Sequence, residues 1–215
     1  MIGAIETVYN GYRFRSRLEA RWAVFFDELK IEYLYEPEGY VLHDDSKYLP
    51  DFFLGDIRGG MWLEIKPIGF PEGKIAEKKL EMLCTVTDKP GMIVAGDPAV
   101  NVKFGSFNQS NDEYYPAWWI CERIGGDDYA VCDGPYIFCL CPWCGKVGIE
   151  FDGRGARVCG YKEHFNDEDA ALSAIKHLGH WRADDKCYTG SHPLIVSAAT
   201  KARQARFEHG ESGAL

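Results

Sequence analysis

Tyr48–Pro67, YLPDFFLGDIRGGMWLEIKP, is the stretch on which the fold turns. It reads as two strands and a short turn. Tyr48 to Leu54 is aromatic-rich, Asp56, Gly59 and Gly60 supply turn chemistry, and Met61 to Lys66 sets off again. Side chains alternate along a strand, so Glu64 and Lys66 share one face while Leu63 and Ile65 take the other. Asp51, Glu64 and Lys66 then converge at one end of a hairpin. Two carboxylates and an ammonium among Phe, Leu, Trp and Ile are costly to desolvate unless a metal or a substrate compensates them. The bland alternative is a charged hairpin whose Glu64 and Lys66 form a solvated pair.

Working outward, a helix is expected over Tyr12 to Lys30, with Leu18, Trp22, Phe25 and Leu29 as its apolar stripe. Ser16-Arg17-Leu18-Glu19 fits a capping box that would start this helix at Ser16. IEYLYEPEGYVL, interrupted by Pro37 and Gly39, reads as a strand pair or a bent strand leading into the hairpin. Lys74 to Leu83 is expected as a second helix, and Gly91 to Ala95 as a short buried strand pairing in parallel across that crossover. Asn101 to Tyr115 reads as a surface loop. AWWICERI and YAVCDG flank Gly-Gly-Asp-Asp, a hairpin signal. Two more helices are expected, Asp167 to Trp181, capped by Asn166 or Asp167, and Pro193 to Glu208.

Pro50-Asp51 followed by Glu64-Ile65-Lys66 resembles the PD-(D/E)XK signature of restriction endonucleases, phage exonucleases and Holliday-junction resolvases. The resemblance covers roughly residues 12 to 97. It implies an α/β, restriction-endonuclease-like core, ordered α-β-β-β-α-β around a mixed sheet. It also implies metal-dependent hydrolysis of DNA phosphodiester bonds. Asp51, Glu64 and the backbone carbonyl of Ile65 would hold Mg²⁺ or Mn²⁺, with Lys66 beside the ion. In some branches a glutamate on the first core helix completes the site, and Glu19 fits by position, at the rim of the buried face. Arg13, Arg15 and Lys74 are candidate phosphate contacts. The QxxxY helix of the exonuclease branch is absent, since Ala76 to Leu83 reads AEKKLEML, so an endonuclease is expected before an exonuclease. A small nuclease of phage or mobile-element DNA processing is the fold-level analogy. The rival is an inactive nuclease-fold adaptor that binds DNA or protein through a zinc module.

That module comes from the cysteines. Cys141 and Cys144, then Cys159 and His164, give C-x2-C-x14-C-x4-H, with GKVGIEFDGRGARV expected as the hairpin between the two pairs. The pattern resembles a zinc ribbon with an irregular second knuckle, a closed structural Zn²⁺ site. The fourth ligand stays open among His164, His177, His180 and Cys139. A thioredoxin-type dithiol would want a helix after Cys144, where a turn and strand are read instead. The expected division is therefore a nuclease-like domain over 1–135, a zinc-ribbon-like module over 136–166 and a helical segment over 167–215.

The 215 residues can bury a substantial core, and 46% hydrophobic and 14% aromatic content argues against disorder. A net charge of −9 counts against a protein that coats nucleic acid, though not against one that engages phosphates locally. Clusters at Arg13, Arg15, Arg17 and Arg21, at Lys74, Lys78 and Lys79, and at Lys201, Arg203 and Arg206 would serve that end, the last reading rather as a solvated helix face. No apolar run reaches the roughly 20 residues of a membrane span. MIGAIETVYNGYRF does not read as a secretory leader, and eight cysteines without one argue against a disulfide framework. A cytoplasmic protein with DNA as partner is the expectation.

Overall fold

A computed structural model describes residues 5–69, 73–103, 119–125, 128–132, 136–151, 153–176 and 189–207. The chain opens with a hairpin, β1 (Thr7–Tyr9) and β2 (Tyr12–Phe14), turned by Asn10 and Gly11 at φ 47° and 81°. Both turn residues take positive φ, as a tight two-residue hairpin requires. The expected helix therefore begins later than Tyr12. α1 (Arg17–Glu28) starts at Ser16, whose hydroxyl accepts from the Glu19 amide at 3.2 Å.

β3 (Tyr33–Tyr35) follows, then β4 (Tyr40–Val41) and β5 (Lys47–Tyr48), which pair with each other, then β6 (Phe52–Leu54) and β7 (Met61–Lys66). The single strand expected over Tyr48–Leu54 is thus two, parted at Pro50, which has no amide to give a ladder. α2 (Gly73–Thr87) crosses over to β8 (Gly91–Ala95), which runs parallel to β7 as expected. α3 (Pro98–Lys103) takes the first residues of the loop expected over Asn101–Tyr115; positions 104–115 lie outside the described residues. β9 (Trp119–Gly125) and β10 (Asp128–Cys132) form the expected hairpin and extend the main sheet. Its order is β10-β9-β8-β7-β6-β3, antiparallel except at β7–β8. The molecule is mixed α/β with a mixed sheet.

Alternation along the central strands divides the core. Leu63, Ile65, Met92 and Val94 join Trp22, Phe25 and Phe26 of α1. Trp62 and Ile93 join Leu80, Leu83 and Cys84 of α2, with Cys121 of β9. Gly91 permits that second face to close, because a Cβ there would lie 2.6 Å from Leu80 Cδ1 and 2.8 Å from Cys84 Sγ.

The C-terminal part completes the first face. β11 (Tyr136–Leu140) pairs antiparallel with β12 (Val147–Phe151), so the Cys141–Cys144 knuckle is itself the turn of a hairpin. The hairpin expected within 145–158 does not form. After β12 the chain makes a single helical turn, α4 (Ala156–Cys159), seated where Gly148 leaves room for Val158. A 3-10 turn (Tyr161–Glu163) and α5 (Glu168–Lys176) follow, with Asp167 Oδ1 accepting from Ala170 N at 2.8 Å as the cap. Positions 177–181 of the expected helix lie outside the described residues. α6 (Pro193–Gln204) buries Ile195, Ala198, Ala199 and Ala202 in the α1 cluster. Its exposed Lys201 donates to Glu28 at 2.6 Å, and Arg203 lies 3.8 Å from Asp97.

The cysteine-bearing hairpin is not a separate bead. Phe138 packs on Phe25 and Trp22 at ring-centroid distances of 5.2 and 5.9 Å. Arg58, at φ 52°, pairs with Glu122 of β9 and Glu150 of β12, and donates to the Ile149 carbonyl at 3.2 Å. Among the described residues no helix is long and apolar enough to cross a membrane.

Candidate functional site

Asp51 stands just before β6, and Glu64 and Lys66 lie in the second half of β7. In the β6–β7 register Phe52 faces Leu63, and one step further brings Asp51 opposite Glu64. The three side chains share the face that carries Trp62, the α2 side of the sheet, as the alternation implied. Asp51 and Glu64 are 3% and 4% exposed. Asp51 Oδ2 accepts from the Ile65 amide and Oδ1 from Arg15 Nη2, each at 2.7 Å. Lys66 Nζ pairs with Glu64 Oε1, while Glu64 Oε2 is buried with no hydrogen-bond partner. Burial, then the Glu64 charge, lifts the Asp51 carboxyl well above the usual carboxylate range, against the pull of the Ile65 amide and Lys66. The Tyr48 phenol beside Glu64 is pushed up by burial and by that same charge.

Glu19 sits at the start of α1 and is also buried. Its carboxylate accepts from Tyr35 Oη at 2.6 Å, Ser16 Oγ at 2.7 Å and the Arg15 amide at 3.1 Å. The capping box forms with one change: Glu19 reaches the Ser16 hydroxyl and the Arg15 amide rather than the Ser16 amide. Among the described residues, Glu19, Asp51 and Glu64 do not gather into a three-donor cluster.

Arg15 bridges the two acidic groups on this rim, pairing with Glu36 as well as Asp51. Arg13 is turned to Glu6 across the β1–β2 hairpin, with Nε 3.1 Å from Oε2. Lys74 is exposed in the first turn of α2. Glu36 and Tyr35 escaped the sequence reading, because only the pairing of β3 with β6 brings them to Asp51; Tyr48, on β5, escaped it too. The Glu36 amide, for instance, donates to the Asp51 carbonyl at 2.9 Å.

The second site is a Cys₃His cluster. One donor atom each from Cys141, Cys144, Cys159 and His164 lies within 4.8 Å of all the others. Cys141 Sγ is 3.4 Å from His164 Nε2, and Cys144 Sγ is 3.8 Å from Cys159 Sγ. The knuckle is shaped by the Lys146 carbonyl accepting from Cys141 N at 2.8 Å and by Gly145 at φ 75°. Burial raises the Cys141 thiol. Burial and the facing Cys141 and Cys144 push Cys159 up to about 12. Burial raises Cys144 too, but the Lys146 amide and the neighbouring thiols bring it below its ordinary value. Four soft and borderline donors at this separation can hold a metal such as zinc. The cluster takes His164 as its fourth member; Cys139 stands apart, and His177 and His180 lie outside the described residues.

No protein-family model matches this sequence, and no curated protein matches it either.

Proposed function

We propose that the chain is a Mg²⁺- or Mn²⁺-dependent DNA nuclease, an endonuclease of phage or mobile-element DNA processing, with a restriction-endonuclease-like core. The observation that carries this reading is the pair of buried carboxylates facing each other across β6 and β7, one of which keeps a buried oxygen, Glu64 Oε2, without a hydrogen bond. Such an oxygen fits a cation, since an unpaired buried carboxylate oxygen carries its full desolvation cost. Asp51, Glu64 and the Ile65 carbonyl would hold the divalent ion, which supplies charge neutralisation at the phosphate and a water of lowered pKa.

The remaining work falls to side chains. Lys66, paired with Glu64, sits where it can orient a water and offset charge developing on the phosphate. Exposed Lys74 and Arg13 would hold the flanking phosphates and set the duplex in register. The Cys₃His centre, with all four positions taken by protein, suits structural zinc rather than chemistry. Incubating the protein with labelled single strands, duplexes, nicked duplexes and branched junctions, with Mg²⁺, Mn²⁺ or EDTA, tests the reading. Divalent-dependent cleavage is expected, and none on any substrate would refute it.

One observation favours a second reading. Both Asp51 oxygens are already engaged, by Arg15 and by the Ile65 amide. A nuclease fold whose carboxylate is locked in this way would act as an adaptor, binding DNA or protein through the zinc module. DNA retention without cleavage under every metal condition would favour it.

A further inference from the structure

Arg15 is held in an unusual manner. It lies directly before the Ser16 cap, and its main chain is pinned: its amide lies 3.1 Å from Glu19 Oε2 and 3.0 Å from Tyr35 Oη. Its side chain, by contrast, is 54% exposed, although it ends on an Asp51 carboxylate that is almost wholly buried. The guanidinium thus reaches in from solvent to cover Asp51 Oδ1, while its Nε side faces Glu36, a more accessible carboxylate at the rim. Asp51, Glu64 and Glu36 bring three carboxylates, against which Lys66 and Arg15 set two cations.

A divalent ion on Asp51 would change that balance. It would compete for the same Oδ1 lone pairs, and two cations in contact at low dielectric repel strongly. Nothing in the main chain need move for the guanidinium to leave, because Glu36 offers it a second anchor and its side chain is already half exposed. Resting on the nuclease reading, we infer that Arg15 is an exchangeable counter-ion. Its guanidinium occupies the metal's place on Asp51 in the metal-free protein, and metal binding releases it toward the solvent side, where a DNA phosphate is its next partner. The planar fork suits a carboxylate and a phosphate equally, which makes the transfer possible without loss of bonding.

Two measurements test this without reading cleavage. In calorimetric titration at pH 8, Arg15→Gln should bind Mn²⁺ more tightly than wild type, by about fivefold or more, as removal of a competing ion pair predicts. Asp51→Asn should bind it poorly. In ¹⁵N spectra of the wild type, the Arg15 Nη signal, assigned by its loss in Arg15→Gln, should be distinct without metal and move at saturating Mg²⁺, because Nη2 is the nitrogen that meets Asp51. Arg15→Lys, which keeps the charge but not the fork, should bind Mn²⁺ with intermediate affinity. Mn²⁺ binding that depends on Asp51 but is unaltered in Arg15→Gln, with an unmoved Nη signal, would overturn the exchange and leave the nuclease reading standing. No Mn²⁺ binding to wild type or to Arg15→Gln would overturn both.

Discussion

Asp51 and Glu64 face each other at the junction of β6 and β7, and the backbone amide of Ile65, the next residue along, donates to Asp51 Oδ2 at 2.7 Å. The strand thereby fixes the orientation of one carboxylate with its own main chain while presenting the other from its side chain. Asn at position 51 can still accept from the Ile65 amide through its one oxygen, so that main-chain anchor should survive the substitution.

Asp51→Asn keeps the acceptor for Ile65 and should fold as wild type does. If the proposed chemistry holds, its cleavage of DNA drops to background. Lys66→Ala should likewise stay folded and lose roughly 10²- to 10⁴-fold in turnover, the range of a positioned acid–base group. Circular dichroism alongside a plasmid-nicking assay checks both, and activity surviving both changes would remove these residues from the site.

The Cys₃His cluster predicts about one zinc per chain, as a closed tetrahedral site requires. Metal analysis of purified protein should find it, and Cys144→Ser and Cys159→Ser should lack it. Strong chelators should lower the melting temperature of wild type and leave the two variants unmoved. Protein purified free of zinc, with a melt indifferent to chelators, would mean plain thiols.

Glu19 separates a metal-related role from a cap. Glu19→Gln keeps an acceptor for Arg15 N and Tyr35 Oη, and its amide can donate to Ser16 Oγ, but the charge is removed. If Glu19 serves the metal, cleavage should fall severely with melting little altered. If it is a cap alone, Glu19→Gln should cut normally, while Ser16→Ala costs about 1 kcal/mol of stability.

The raised carboxyl of Asp51 has a signed effect on stability. The folded chain binds that proton more tightly than the unfolded chain does. Its contribution is therefore complete below about pH 4, the ordinary carboxylate value, and is lost as pH rises through the higher folded value. Metal-free protein should thus lose stability as the pH climbs above about 4. Asp51→Asn should flatten that slope in urea melts taken at several pH values, and an unchanged slope would count against the burial argument.

Arg58 ties the main sheet to the cysteine hairpin through Glu122, Glu150 and the Ile149 carbonyl. Arg58→Met keeps the stem but leaves two half-buried carboxylates facing each other. It should cost on the order of 1–3 kcal/mol. The sheet and the hairpin should then melt in two steps rather than one, by fluorescence and by zinc release followed together.

Much of the central architecture was legible because its signals are local. Met61–Lys66 and Gly91–Ala95 are short apolar strands bounded by Gly and Pro, and their parallel pairing follows from the helix between them. Ser16 and Asp167 announce their helices chemically. The misreadings were of two kinds. Asn10-Gly11 carries a hairpin signal, but the apolar stripe of α1 drew the helix back over it. The partner of β12 was sought downstream because Cys159 lies there, whereas the true partner lies upstream in Tyr136–Leu140. The rim around Asp51 was not legible at all. Glu36 and Tyr35 meet it only through the pairing of β3 with β6, and Arg15, read as a phosphate contact, comes to it from the turn before α1; no spacing in the sequence encodes either.

Phe138 bears on the order in which the molecule can be made. It fills the face of α1 formed by Trp22 and Phe25, and α6 closes the same face with Ile195, Ala198 and Ala199. A ribosome releasing the first 135 residues would therefore present an aromatic surface with nothing yet synthesised to cover it. The carboxylate rim, though encoded early, would reach its final rigidity only after α6 has docked, which leaves the nascent chain dependent on residues made much later.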